Sequence, residues 1–285
     1  MNNNFKNFIN LTRLNKPIGF LLLFWPCAFG VVFAKKFNIY FDDTVYFLIL
    51  FFLGAVLMRS AGCIVNDIVD RKIDIKVKRT KNRPIASKKI SVKLAIFYSF
   101  FLCLIAFFIL IQFNYFTILL GLSSMFLAFS YPFMKRITYW PQLFLGITFN
   151  WGVLMAGAAV NNSINLEILL LYLAAIFWTL GYDTIYGLQD IKDDEIIGMK
   201  STSIKFKENP KLFVSICYLI NFILLFYIFK SFEFNLFSIN VILLYVFSLF
   251  YQIFLFKKNK PETCLKAFKA NNFTGLFLFI FTISI

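Results

Sequence analysis

Apolar residues along the chain come in long blocks, each near twenty residues, separated by short polar connections. Nine blocks are legible, at about 17–34, 45–65, 92–112, 115–133, 141–160, 166–186, 212–230, 235–256 and 267–285. A helix needs roughly 20 apolar residues to cross a bilayer. The pattern therefore predicts an all-α integral membrane protein with nine transmembrane helices. Pro17 suits the first turn of the first block, and Trp25-Pro26 predicts a kink within it. No Pro/Ser/Gly-rich linker or low-complexity tract interrupts the chain, so residues 1–285 read as a single polytopic domain.

Two blocks run on into polar residues that keep helical phase. After the second, Arg59, Asn66, Asp70 and Asp74 lie at relative positions 0, 7, 11 and 15. At roughly 100° per residue they stay within a sector of about 80°. One face then carries a guanidinium, an amide oxygen and two carboxylates. Hard oxygens one turn apart suit Mg²⁺, which takes a few carboxylates and fills its other sites with water or phosphate. A helix end loaded with Asp and Lys is equally the pattern of a solvated face. Arg59 tips the balance, because a charge inside an apolar span is costly and marks function by default. Asp67 points about 100° away from Asn66 and is expected outside the ligand set, backing it or facing water.

After the sixth block, Asp183, Tyr186, Asp190 and Asp194 are spaced three or four apart and are expected to share a face, with Asp193 beside them. The two acidic stretches are separated by four helices and so emerge on the same side. That predicts two parallel halves of four helices plus a ninth, packed around a central cavity onto which both acidic faces converge.

Composition narrows the class. Of 285 residues, 60% are hydrophobic and only 15% charged, which excludes an ordinary soluble globule. The net charge of +15 invites nucleic acid as a partner, but the basic residues sit in short loops, where topology and anionic lipid account for them. With the N-terminus in the cytoplasm, 26 of the 29 Lys and Arg fall on the cytoplasmic side, leaving only Lys35, Lys36 and Lys230 opposite. Both acidic motifs are then expected at the cytoplasmic face. There is no histidine, and the five cysteines form no CxxC pair, so imidazole catalysis, zinc sites and disulfides drop out. The N-terminal stretch lacks the pattern of a transit peptide, and a bacterial inner membrane is the expected address.

Basic residues crowd the first acidic stretch: Arg71, Lys72, Lys76, Lys78, Arg79, Lys81 and Arg83 could grip a phosphate. Arg13 and Lys16 read as interfacial anchors. Lys135 and Arg136 suit either an anchor or a phosphate contact. Two acidic clusters facing across an apolar cavity, fringed by cations, match what ionising an allylic diphosphate requires: a metal to neutralise the leaving group, cations to hold it and a dry aromatic pocket. The 41 Phe and 13 Tyr provide ample π faces.

The stretches RLNKPIGFLLLFWP, NDIVDRKIDIKVKRTKNRPI, YPFMKR and YDTIYGLQDIKDDEIIGMKST resemble the UbiA superfamily of intramembrane aromatic prenyltransferases across nearly the whole chain. KRTxNRP, YPFMKR and YDTIY with KST resemble the branch that prenylates 4-hydroxybenzoate for ubiquinone. The resemblance implies Asn66, Asp70 and Asp74 as the first metal–diphosphate motif, Asp190 and Asp194 as the second, and Asp183 as an addition. It implies Arg79, Arg83 and Lys135 on the diphosphate, Arg59 on the benzoate carboxylate, Tyr186 on substrate, and Arg136 with Asp190 as the catalytically sensitive pair. The implied cofactor is Mg²⁺, and the implied partners are polyprenyl diphosphate, 4-hydroxybenzoate and the lipid bilayer. Gly187 stands where relatives often have Ala. Rival readings are a sister enzyme using dihydroxynaphthoate, homogentisate, chlorophyllide or haem, and a divalent-cation or organic-anion transporter. Both acidic clusters on one side, away from the midplane, argue against transport. A phospholipid-synthesising alcohol phosphotransferase would need a longer Gly- and Asp-containing signature than this chain carries.

Overall fold

In hydrocarbon every backbone N–H and C=O must be bonded within its own segment, so long apolar runs fold as helices. The computed structural model describes residues 3–285 except 39 and 78, which leaves Lys78 outside the described residues. Twelve helices follow in order: α1 (Asn3–Thr12), α2 (Ile18–Lys35), α3 (Thr44–Asp74), α4 (Val92–Leu110), α5 (Tyr115–Ile137), α6 (Pro141–Asn161), α7 (Leu166–Gly187), α8 (Ile191–Ile197), α9 (Thr202–Lys205), α10 (Pro210–Phe229), α11 (Leu236–Leu255) and α12 (Pro261–Ser284). Among the described residues there is no strand, only one isolated bridge between Lys257 and Lys260. Eight helices, α2 to α7 with α10 and α11, are long and apolar enough to cross a membrane. The chain is a multi-pass membrane protein. Helix α12 is as long but places Lys266, Lys269, Asn271 and Asn272 in its first half. Pro26 falls inside α2, which continues through it, and Pro132 falls inside α5.

The caps follow the sequence. Ser91, Asn114, Asn165, Ser201 and Asn235 each accept a backbone N–H of the first turn they precede, while Pro141, Pro210 and Pro261 open helices where no backbone donor is needed. Packing repeats between the halves: α2 lies on α3 as α6 lies on α7, α3 on α4 as α7 on α10, and α5 on α6 as α11 on α12. Helix α12 returns to α2 and closes the bundle. The α2–α6 crossing is tight, for a Cβ on Gly152 would stand 2.2 Å from Cys27 Sγ.

The connections sort to two ends. Asn161 reaches Ala34 O, Asn38 reaches Val160 O and Lys36 bonds Ile285 O, so the end bearing Lys35 and Lys36 also holds the end of α6 and the C-terminus. At the opposite end, Lys200 N donates to Lys135 O at 2.8 Å, and Arg79 meets Asp190. Both acidic stretches therefore lie together.

Candidate active site

Helix α3 runs three turns beyond its apolar part before ending at Asp74, which is what carries Asn66, Asp70 and Asp74 to one end of the bundle while Arg59 stays deeper. A cavity of about 1150 Å³ opens there. Arg59, Asn66, Asp70, Asp74, Arg79, Arg83, Lys135, Asp183, Tyr186, Asp190 and Asp194 all line it. Arg136 is absent from the wall and reaches the site through Asp70. Apolar side chains of α3 to α5, Phe51, Ala106, Phe107, Met125 and Ala128 among them, continue the wall inward.

Asp70, Asp74 and Asp190 are held by cations. Arg136 Nη2 donates to Asp70 Oδ1 at 3.0 Å, and Lys135 Nζ stands 3.9 Å from Asp70 Oδ2. Arg83 Nη1 donates to Asp74 Oδ2 at 2.9 Å. Arg79 Nε donates to Asp190 Oδ1 at 2.8 Å, its Nη1 donates to the Tyr186 hydroxyl at 3.2 Å, and its guanidinium lies 5.7 Å from that ring's centre. Exposure of Arg79 at 42% and Asp190 at 15% places this pair at the cavity mouth, open to exchange with a charged ligand.

One expectation needs correction, and one open alternative is decided. Asp183, Tyr186, Asp190 and Asp194 do not share the face of one continuous helix. Helix α7 stops at Gly187, whose Cα packs so closely on Ser203 that a Cβ would stand 2.4 Å from its Oγ. Asp190 then occupies the N-cap position of α8, and Asp194 lies in the first turn of that helix. Asp183 and Tyr186 share α7, and a break between that helix and the short α8, not continued helical phase, brings Asp190 and Asp194 to the same cavity. Asp67 is not solvated: it is 1% exposed and pairs with both Arg13 and Arg83.

The return loop is pinned from several sides. Thr202 N donates to Gln142 Oε1 at 2.9 Å, the Thr202 and Thr184 hydroxyls are 2.6 Å apart, and Ser203 Oγ donates to Thr184 O at 2.8 Å. The KST residues thus fasten α8 and α9 to α6 and α7, and so fix the second acidic motif. On α8, burial pushes the Asp194 carboxyl up to about 6; Lys135 opposes the rise, and Asp190 and Asp193 add to it.

Deeper in the cavity, Arg59 lies under α2, where a Cβ on Gly19 would come 2.9 Å from its Nε. Its guanidinium carbon is 5.3 Å from the centre of the Phe149 ring. Nε is buried without a hydrogen-bond partner, and Asn66 Oδ1 is likewise buried and unpartnered. An orphaned donor and an orphaned acceptor in one cavity call for polar ligands of opposite character.

The donor set can be tested against a metal. Among the described residues, no three of the acidic side chains gather into one cluster able to enclose an ion. The oxygens instead form two groups, Asn66 with Asp70 and Asp74, and Asp190 with Asp194. Mg²⁺ is bound in this way, through one or two carboxylates with water and substrate phosphate completing the shell. The unpartnered Asn66 oxygen and the all-oxygen chemistry fit that ion.

A helical bundle in the membrane, with paired acidic motifs over an apolar cavity, is the class that fold and site define. The UbiA prenyltransferase family model matches residues 23–281, and the chain belongs to that family. It is 41% identical over 273 residues to the 4-hydroxybenzoate octaprenyltransferase of Psychromonas ingrahamii, covering 95% of this chain and 93% of that one. It is 47% identical over 211 residues to the mitochondrial 4-hydroxybenzoate polyprenyltransferase of Drosophila pseudoobscura pseudoobscura, covering 74% of this chain; the match spans 53%, about half, of that relative's length. Among solved structures, the apo UbiA homolog from Aeropyrum pernix K1 superposes with a TM-score of 0.78 at 22% identity, over 92% of this chain and 96% of that one. The Archaeoglobus fulgidus UbiA homolog bound to GPP and Mg²⁺ gives 0.69 at 18% identity, over 98% and 100%. At these identities the solved structures establish the fold alone.

Proposed function

We propose that this chain transfers a polyprenyl group from polyprenyl diphosphate to the ring carbon ortho to the hydroxyl of 4-hydroxybenzoate, in ubiquinone biosynthesis, with Mg²⁺ as cofactor. The observation that carries the reading is one cavity with two acidic motifs at its mouth and, deeper in its apolar part, an arginine whose Nε is buried and unpartnered. The relatives named for this reaction match nearly end to end in bacteria, which supports the acceptor and a bacterial inner membrane. The lopsided distribution of Lys and Arg supports a cytoplasmic site and N-terminus. Residues 1–285 act in this reading as one domain.

Asn66, Asp70 and Asp74 would hold one ion, and Asp190 with Asp194 the other, with Asp183 behind them. Bound there, Mg²⁺ supplies the charge that neutralises a departing diphosphate. Arg79 and Lys135 bind the diphosphate oxygens, exchanging their carboxylate partners for phosphate, and Arg83 binds them through the edge of its guanidinium that its bonds to Asp67 and Asp74 leave free. Arg136 keeps Asp70 oriented from the far side. Arg59 orients the acceptor by its carboxylate. It lies seven residues, about 10 Å, deeper along α3 than Asn66, and a small aromatic acid spans much of that distance, which leaves its phenol end toward the diphosphate. Tyr186 lines the cavity beside Arg79. The apolar wall excludes water from the electron-poor allylic carbon. As the ring carbon bonds to that carbon and the C–O bond to diphosphate breaks, the ring proton leaves to Asp190 or to the departing diphosphate. Asp70→Asn tests the assignment: turnover is abolished in a protein that stays folded, and a fully active variant removes the metal role.

A further inference from the structure

The pair Arg13–Asp67 has no role in the chemistry above. Arg13 sits in the turn between α1 and α2 with φ of 61°, a left-handed conformation uncommon for arginine. Its Nη2 donates to both oxygens of Asp67, each at 2.8 Å, and its Nη1 donates to Asn10 O, which ties the arrangement to the end of α1. Asp67 also accepts from Arg83 Nη1 at 3.1 Å, and that same nitrogen donates to Asp74 at 3.0 and 2.9 Å. Nη1 therefore carries every side-chain hydrogen bond of Arg83 among the described residues. Its Nε and Nη2 are left for another anion, and Arg83 lines the cavity.

We propose that Arg13 is a positioning residue for the allylic diphosphate: by occupying both oxygens of Asp67, it prevents that buried carboxylate from chelating Arg83, and so keeps the free edge of Arg83 turned to the substrate. The argument rests on valence and charge. A guanidinium offers a two-pronged edge that matches a carboxylate as well as it matches a phosphate. An Asp67 stripped of Arg13 would be a buried anion left with the single 3.1 Å bond from Arg83 Nη1, and the strongest relief open to it is to draw the rest of that guanidinium into a bidentate pair. Substrate would then have to displace an internal competitor. The defect lies in the freed anion, not in the missing cation, so removing the Asp67 charge as well should lift it.

This inference rests on the prenyltransferase reading, and its test separates the two. Binding of farnesyl thiodiphosphate, a slowly ionising allylic diphosphate, is measured by calorimetry with Mg²⁺ on the purified full chain in detergent. Arg13→Ala and Arg13→Gln are each expected to weaken binding about tenfold, the scale of one charged hydrogen-bond pair. Adding Asp67→Asn to either is expected to bring affinity back to within about threefold of wild type. The KM for 4-hydroxybenzoate stays unchanged throughout. Wild-type affinity in both single variants, or a double variant that binds no better than the single, overturns the role of Arg13. A wild-type protein that does not bind the analogue overturns the functional reading instead.

Discussion

Arg79 Nε donates to Asp190 Oδ1 at 2.8 Å, although 111 positions separate the two residues in the chain. The loop that follows α3 is thereby fastened to the start of α8, and the two acidic motifs are joined across the cavity mouth. Asp190→Asn keeps the shape and one acceptor oxygen but loses the charge. Turnover is expected to fall by about 10²-fold or more, with helix content by circular dichroism unchanged. Activity near wild type would remove Asp190 from the reaction.

Arg59 answers to a different substrate. Arg59→Ala is expected to raise the KM for 4-hydroxybenzoate by about ten- to a hundredfold, the worth of a hydrogen bond to a charged group. The KM for polyprenyl diphosphate should move by much less. Steady-state kinetics with each substrate varied in turn separates the two, and an unchanged benzoate dependence would take Arg59 out of that role.

Asp194 predicts a pH dependence. Burial raises its carboxyl to about 6, and a ligating carboxylate must be deprotonated. Above that pH the site is ready for a cation. As pH falls through about 6, the cation must displace a proton, so the Mg²⁺ concentration for half-maximal activity should climb. Asp194→Asn should flatten this part of the profile.

The α2–α6 crossing makes a prediction about stability alone. Gly152→Ala would drive a methyl to 2.2 Å from Cys27 Sγ, an overpacking that costs about 1–3 kcal/mol. The melting temperature in detergent should drop, and Cys27→Ala in the same chain should recover most of the loss. Independent, additive losses would contradict this contact.

Much of this was legible in the sequence because membrane helices write their length and phase directly into it. The start of α3 and its polar end follow from the apolar run at 45–65 and the spacing of Arg59, Asn66, Asp70 and Asp74. Contacts between distant segments were not legible. Helical phase turns Asp67 away from Asn66, but nothing in that phase shows that α1 packs there and brings Arg13 to it. A spacing of three or four was equally misleading past Gly187. Asp190 and Asp194 keep the interval of a helix while lying beyond the end of α7. The faint sequence signal was the Tyr-Gly ending followed by LQD, a place where a helix can stop. Lys135 and Arg136 suited either an interfacial anchor or a phosphate contact; only the fold shows that both turn to Asp70.

The central claim is tested most directly by incubating membranes that contain the protein with labelled 4-hydroxybenzoate and a polyprenyl diphosphate, with Mg²⁺ or with EDTA. The account predicts a lipid-extractable prenylated benzoate that forms with Mg²⁺ and fails to form with EDTA. No product with Mg²⁺ present, or the same yield after chelation, would contradict it.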